Sequence, residues 1–371
     1  MNRNSDICLI TNIGPHYRLP IFKEIRKELN CDFFLGDHID VPIKTFEYDE
    51  FDGCRGVLRN IFFNKYYWQK KSVRLVFASY KYYILDGEPY NISSWAILIL
   101  AKIMRKKTIA WTHGWYGRES FIKRLIKKSF YKLFTDIMTY SDYSRRLMLK
   151  QGFHDNQLYC IANSMDSDRE KLIRSTLTKT YLYTNHFHNN DPVVIYCGRI
   201  QKRKKLEMII DSIHMLQINH IRCNIVFVGK DVDNVNIEAY ANSKGMSNHV
   251  WCYGPCYDDT ILGTLFYNAT VCVSPGNVGL TAIHSLTFGC PVITHDNFAY
   301  QMPEFEAIIA GHTGDFFEYD NISSLADKIR IWISKTEAQR EIIRQAAYAE
   351  IDNKWNIHYQ VHVIKKIINE E

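Results

Sequence analysis

Short apolar runs, each ending in a turn and followed by helical periodicity, recur along almost the whole chain, and they do so in two rounds. In the first round, Ile7-Cys8-Leu9-Ile10-Thr11 reads as a buried strand and Asn12-Ile13-Gly14-Pro15 as a turn. Leu19 to Leu29 then carries Leu19, Ile21, Phe22, Ile25 and Leu29 near helical spacing. Further strands are read at residues 31–35, 73–78, 82–85, 108–111 and 137–140, with helices at 93–104, 119–133 and 141–151 between them. Residues 176–191 break the rhythm. They are polar, rich in Asn and His, and end in Asp191-Pro192, so they read as a linker. The second round places strands at 193–197, 224–228, 250–253, 270–274 and 291–294. Helices are read at 205–217, 238–244, 258–267, 281–288, 324–333 and 337–351, and an amphipathic one from Trp355 to Ile368. Strands alternating with helices predict an α/β fold with parallel sheets and crossovers. Two rounds predict two doubly wound halves. Ligands in such sheets bind beyond the carboxyl ends of the strands, here in a cleft between the halves.

The length of 371 residues suits two domains of about 150 residues each. Apolar residues at 46% and charged residues at 23% exclude disorder as the main state. The longest greasy stretch, Trp95 to Met104, is broken by Lys102 and falls short of the roughly 20 residues a membrane span needs. Ile7 to Ile10 is too short for the core of a signal peptide. The 10 cysteines are scattered, with no CxxC pair and no zinc-ligand spacing. Free thiols, a cytoplasmic setting and no metal site are therefore expected. Charge is uneven: residues 1–175 hold 29 Lys+Arg against 19 Asp+Glu, whereas the remainder holds 17 against 21. The first half is thus the one expected to face something anionic.

Four constellations sit where a strand ends. The first is Ser274-Pro275-Gly276-Asn277-Val278-Gly279-Leu280-Thr281, opening a helix that carries His284. Helix starts leave N–H groups free for a phosphate, and Gly279 permits close approach. The second is Gly198-Arg199-Ile200-Gln201-Lys202-Arg203-Lys204-Lys205, with cations suited to a diphosphate. The third, Trp111-Thr112-His113-Gly114-Trp115-Tyr116-Gly117-Arg118, sets a histidine among aromatics that suit a sugar. The fourth is Gly14-Pro15-His16-Tyr17-Arg18 after the first strand. Each has a bland alternative: an ordinary crossover turn, a solvated basic loop, a structural histidine. Walker A, HExxH, GxSxG and GxGxxG patterns are absent.

The order of the pieces resembles glycosyltransferase family 4, the retaining GT-B enzymes. The resemblance rests on Gly198-Arg199 with Lys204, Phe227-Val228-Gly229, Tyr253-Gly254, Val273-Ser274-Pro275, Gly279-Leu280, Gly289-Cys290-Pro291-Val292-Ile293 and Pro303-Glu304. Earlier in the chain it rests on Gly14, Thr112-His113-Gly114, Tyr140-Ser141 and Asn163-Ser164 with Asp166. It implies two Rossmann-like domains: an acceptor-side domain at 1–175, a donor domain at 192–350, and a helix at 351–371 crossing back to the first. It also implies a nucleotide-diphosphate sugar as co-substrate, with no further cofactor and no metal. Carried over by position, Gly279, Leu280 and Thr281 hold the donor phosphates, Arg199 and Lys204 neutralise them, Gly14 approaches them, and His113 meets the transferred sugar. Gly198 and Asn277 belong to the same donor loops. The family's Glu-x7-Glu pair falls here on Gly276 and His284, which implies a backbone contact at the first position and an imidazole contact with the ribose at the second.

A basic first half with 13 Lys+Arg against 3 Asp+Glu in residues 102–150 suggests helices 119–133 and 141–151 resting on anionic lipid at the inner face of the plasma membrane. From there they would reach a glycan or lipid-linked acceptor. Two other readings are open: a sugar-nucleotide epimerase of the same plan, with Glu304 as its carboxylate, and a non-enzymatic nucleic-acid binder. The second lacks interleaved aromatic stacking platforms, so no nucleic-acid partner is expected.

Overall fold

Parallel strands form wherever a fully buried apolar run precedes a helical stretch. The structure is a computed structural model that describes residues 5–41 and 43–369. In chain order the first round gives β1 (Ile7–Thr11), α1 (Leu19–Leu29), β2 (Asp32–Gly36), β3 (Cys54–Leu58), β4 (Asn60–Phe63), β5 (Tyr66–Gln69) and β6 (Tyr82–Asp86). It continues with α2 (Ile92–Ile103), β7 (Lys107–Thr112), α3 (Phe121–Tyr131), β8 (Asp136–Thr139), α4 (Asp142–Lys150) and β9 (Leu158–Cys160). Seven of these strands form a sheet in the order β3-β2-β1-β6-β7-β8-β9, and β4-β5 stand apart as an antiparallel hairpin. All pairings in the large sheet are parallel.

The second round gives α5 (Ser167–Thr176), α6 (Leu182–Phe187), β10 (Val193–Cys197), α7 (Glu207–Ile218), β11 (Asn224–Val228), α8 (Ile237–Ser243) and β12 (Val250–Gly254). Then come α9 (Asp259–Asn268), β13 (Val271–Ser274), α10 (Thr281–Thr287), β14 (Val292–His295), β15 (Gly314–Phe317), α11 (Ile322–Ile333) and α12 (Glu337–Lys354). Its sheet is parallel throughout, in the order β12-β11-β10-β13-β14-β15. The last helix is α13 (Ile357–Asn369).

The chain divides into unit 1, Met1–Asp166 with Asn356–Glu371, and unit 2, Ser167–Trp355. These bounds differ from the expected 1–175, 192–350 and 351–371. Helix α5 packs on α9 and α10 of unit 2, and its Arg174 pairs with Asp352 at 2.8 Å, so residues 167–175 leave the first domain. Helix α12 runs to Lys354 before the chain returns. Residues 176–191 are also no bare linker, because α6 buries Tyr183 and Phe187, and the Tyr183 hydroxyl donates to the Leu265 carbonyl at 2.7 Å. Helix α13 joins the core of unit 1, where Ile357, Val361, Ile364 and Ile367 pack with Ile21, Phe22 and Ile25. Gln360 fixes it by bonding both the Ala162 carbonyl and the Ser164 hydroxyl.

One expected strand is something else. Residues 73–77 lie in a 3-10 helix, Ser72–Phe77, in which Ser72 and Val76 are buried while Phe77 is exposed. Burial every third or fourth residue is a helical demand that a run of mixed apolar residues meets as readily as a strand.

Candidate functional site

Unit 2 joins its two glycine-bearing loops through their backbones. The Thr281 hydroxyl donates to the Cys197 carbonyl at 3.0 Å, and the Gly276 N–H donates to the Lys204 carbonyl at 3.0 Å. The Lys204 ammonium donates to both the carbonyl and the side-chain oxygen of Asn277. Buried Gln301 braces the second loop from behind, accepting from the Val278 N–H at 2.8 Å and donating to Thr294 and the His295 carbonyl. Arg199, Lys204, Asn277, Gly279, Leu280 and Thr281 are therefore brought together at the carboxyl ends of β10 and β13.

The cations of the 198–205 loop do not act alike. Lys205 pairs with Asp320 and lies 4.3 Å from the centre of the Tyr319 ring. Arg199 is exposed, and among the described residues its guanidinium has no carboxylate partner. Lys204 is held low, to a pKa of about 8, first by burial and then by the charges of Arg203 and Arg199, with buried Glu304 acting in the opposite sense. A half-buried ammonium facing two like charges is an electropositive spot that an anion relieves. Beside it, the N–H groups of Gly279, Leu280 and Thr281 have no hydrogen-bond acceptor among the described residues, as expected where a helix begins. Gly279 has neither a positive φ nor a crowding neighbour; a Cβ there would meet Met302 at an ordinary 3.8 Å.

Two expected donor contacts are corrected. Gly276 is buried with both backbone groups in use: its carbonyl accepts from Thr294, and a Cβ would lie 2.6 Å from the Arg203 carbonyl oxygen. No side chain fits where the related motif places glutamate. His284 is buried between Phe266 and Phe288, with its Nε2 3.3 Å from Glu170, so it faces helix α5. Burial alone lowers its pKa to about 4. Gly14 in unit 1 donates its N–H to the Tyr48 hydroxyl at 2.8 Å, and the Phe46 and Tyr48 rings fill the space where a side chain would stand. Gly198 donates its N–H to the Val228 carbonyl; its part is steric, with φ +145 where the chain leaves β10.

Unit 1 has its own cavity, of about 950 Å³, at the carboxyl ends of β1, β6 and β7. His113 lines it. The ring lies 4.7 Å from Tyr140 and stacks on Tyr116, and its Nδ1 is buried without a hydrogen-bond partner. Burial, then the charges of Arg18 and Lys127, lower its pKa to about 4, so the imidazole is neutral near pH 7. The turn that carries it is fixed locally: Gly114 has φ +59 and would clash with Ser144, whose hydroxyl donates to the His113 carbonyl. The Tyr116 and Gly117 N–H groups donate to Glu119, which pairs with Lys127 at 2.7 Å.

Two cavity residues escaped the sequence reading. Arg18 stacks over Trp111 at 4.9 Å and Tyr140 at 5.7 Å. Asp86, at the end of β6, uses Oδ2 to accept from the Thr11 hydroxyl and the Asn12 N–H, while Oδ1 accepts no bond among the described residues. Burial raises its pKa, opposed by the charge of Arg18. Arg18 stood inside a quoted motif, but Asp86 had no local signal beyond following an apolar run.

Residues 183–349 match the family model described as glycosyl transferases group 1. Comparison with curated proteins gives no match. Among solved structures, Anabaena HepE in complex with UDP superposes with a TM-score of 0.74 at 15% identity, covering 99% of this chain and 100% of that one. A glycosyltransferase from Rickettsia africae gives 0.71 at 16%, covering 100% of each chain. The lipopolysaccharide outer core galactosyltransferase WaaB gives 0.69 at 14%, covering 98% and 99%. These likenesses establish the fold, two parallel-sheet Rossmann-like domains of the GT-B type.

Proposed function

We propose that this chain, whose residues 183–349 match the family model of glycosyl transferases group 1, moves a sugar from a nucleotide-diphosphate sugar to an acceptor hydroxyl with retention of configuration. The observation that carries the reading is the meeting of three unpaired N–H groups at Gly279, Leu280 and Thr281 with the half-buried Lys204 ammonium and the exposed Arg199. Together they make an anion site without calling on a metal. In the proposed step the bond between the anomeric carbon and the phosphate oxygen breaks as Lys204 and Arg199 take up the charge of the leaving diphosphate. The acceptor hydroxyl attacks from the same face and its proton passes to a leaving phosphate oxygen. His113, neutral and with an unpaired Nδ1, is assigned to a sugar hydroxyl.

Unit 1 is assigned the acceptor. Its cavity has aromatic walls for a sugar ring and continues onto α3, whose Ile122, Lys123, Ile126 and Lys127 line it. The same helix exposes Phe121 and Ile122 at 76% and 69% among Lys123, Arg124 and Lys128. An apolar stripe edged by cations fits an anionic bilayer, at about 1 kcal/mol for each cation near the surface. Helix α4 adds little, because its Arg145 already pairs with Asp155. We therefore assign a lipid-linked glycan acceptor, as in surface polysaccharide assembly, delivered at the membrane face by α3 alone. Among the described residues no helix is long and apolar enough to cross a membrane.

The test begins with UDP-sugars, since HepE was solved with UDP, and extends to GDP-sugars. Acceptor-dependent release of nucleoside diphosphate is expected from one donor. Isomerised donor in the absence of acceptor would replace this reading with the epimerase. Flotation with vesicles containing phosphatidylserine is expected to recover the wild type and lose the Phe121→Ser/Ile122→Ser double variant. Equal recovery with neutral vesicles would remove the membrane assignment.

A further inference from the structure

One side-chain cluster of unit 2 lies outside both sites and joins three helices. Glu170 on α5, Asp259 in the first turn of α9 and His284 on α10 each bring a ligand atom to within 4.8 Å of the others. Glu170 and His284 are 2% and 7% exposed. His284 Nε2 lies 3.3 Å from a Glu170 oxygen, yet it is buried with no hydrogen-bond partner. At that separation the imidazole nitrogen and the carboxylate oxygen do not form a hydrogen bond with each other. Two ligands bound tetrahedrally at about 2.0–2.1 Å from one ion stand roughly 3.3–3.4 Å apart, which is the spacing seen.

We propose that Glu170, Asp259 and His284 form a binding site for a divalent transition metal of the zinc type. One imidazole and two carboxylates make a borderline nitrogen–oxygen set that suits Zn²⁺ or Co²⁺ and neutralises a double charge. Water takes the fourth position on the side where the Asp259 side chain is 23% exposed. Arg169, 61% exposed and 3.5 Å from Asp259, gives way to the ion as a competitor for the same carboxylate. The ion pins α5 to α9 and α10, and α10 is the helix that begins at the Gly279 loop. The three positions, 170, 259 and 284, have a spacing that no short motif captures. This site is distinct from the anion site and does not depend on the proposed sugar transfer.

The full chain, stripped with EDTA, is titrated with Zn²⁺ by calorimetry and with Co²⁺ by visible spectroscopy. One equivalent is expected to bind, to raise the melting temperature, and to give the intense d–d bands of a four-coordinate Co²⁺ site. His284→Ala and Asp259→Asn are each expected to weaken binding by about tenfold or more. Asp259 is partly exposed, so Asp259→Asn keeps the test decisive should the histidine variant not fold. Absence of Zn²⁺ binding to the wild type overturns the proposal. So does Zn²⁺ binding that Asp259→Asn leaves unchanged, which would place the ion on the free thiols instead.

Discussion

The anion site of unit 2 and the cavity of unit 1 are built from different materials. The first is made of backbone and of cations within two contiguous loops, 198–205 and 275–281, each closing a strand. The second is made of side chains drawn from five places: Arg18, Asp86, Trp111, His113 and Tyr140. A backbone site tolerates change in side chains it does not use, provided its glycines and Lys204 stay. A side-chain site is retuned by any single substitution. The contrast suits a half that holds a common diphosphate and a half that selects a particular acceptor.

The largest expected effect falls on unit 2. Lys204→Ala removes both the charge and the bond that holds Asn277, and Arg199→Ala removes the exposed guanidinium. Either is expected to lower transfer at least about a hundredfold, in line with roughly 2.7–4 kcal/mol for one preorganised contact. Measured turnover near wild type in either purified variant would end the assignment of the diphosphate to these loops.

Gly276 sharpens the comparison. Placing at this position the glutamate that the resemblance implies looks like a repair, but Gly276→Glu drives a side chain into the backbone of Arg203 and Lys204. The expected outcome is a loss of about 1–3 kcal/mol by overpacking, read as a lower melting temperature together with weaker UDP binding. A variant that melts normally and binds UDP more tightly would show that the loop opens as the resemblance implies.

This position also shows where legibility ended. The parallel sheets were readable because their central strands are mostly apolar and run into glycine-bearing turns. The half-exposed edge strand β3, with Arg55 and Gly56, gave no such signal, and neither did the β4-β5 hairpin. The 198–205 and 275–281 loops were readable because they are contiguous. Which of their residues face outward was not, since Gly276 and His284 are turned inward by partners at Lys204 and Glu170 that lie 72 and 114 residues away in the chain. Asp86 was invisible for the same reason: its meaning comes from Thr11, Asn12 and Arg18.

Unit 1 answers more gently. Asp86→Asn keeps an oxygen for Thr11 and Asn12 but turns an amide toward the cavity, exchanging an acceptor for a donor. A rise of about tenfold in the acceptor KM is expected, with UDP affinity unchanged. A change in UDP affinity of the same size would mean that Asp86 serves the donor, and the division between the two units would fail.

The smallest effect is one of pH, and it separates binding from stability. Lys204 titrates near 8 in the fold against an ordinary 10.5, because burial and neighbouring cations disfavour its charge. Between those values the unfolded chain binds the extra proton, so this group's contribution to stability rises with pH through that window. Diphosphate binding runs the other way, since the anion needs the ammonium: UDP affinity is expected to fall about fourfold from pH 7 to 8.5, following the protonated fraction of a group with that pKa. Lys204→Ala removes the group and with it this pH dependence, whereas Arg199→Ala keeps it and shifts the midpoint upward, because the arginine is one of the charges holding Lys204 down. A flat UDP titration across this range in the wild type would mean that the half-buried ammonium does not meet the anion, leaving the exposed guanidinium and the helix-start amides to hold it.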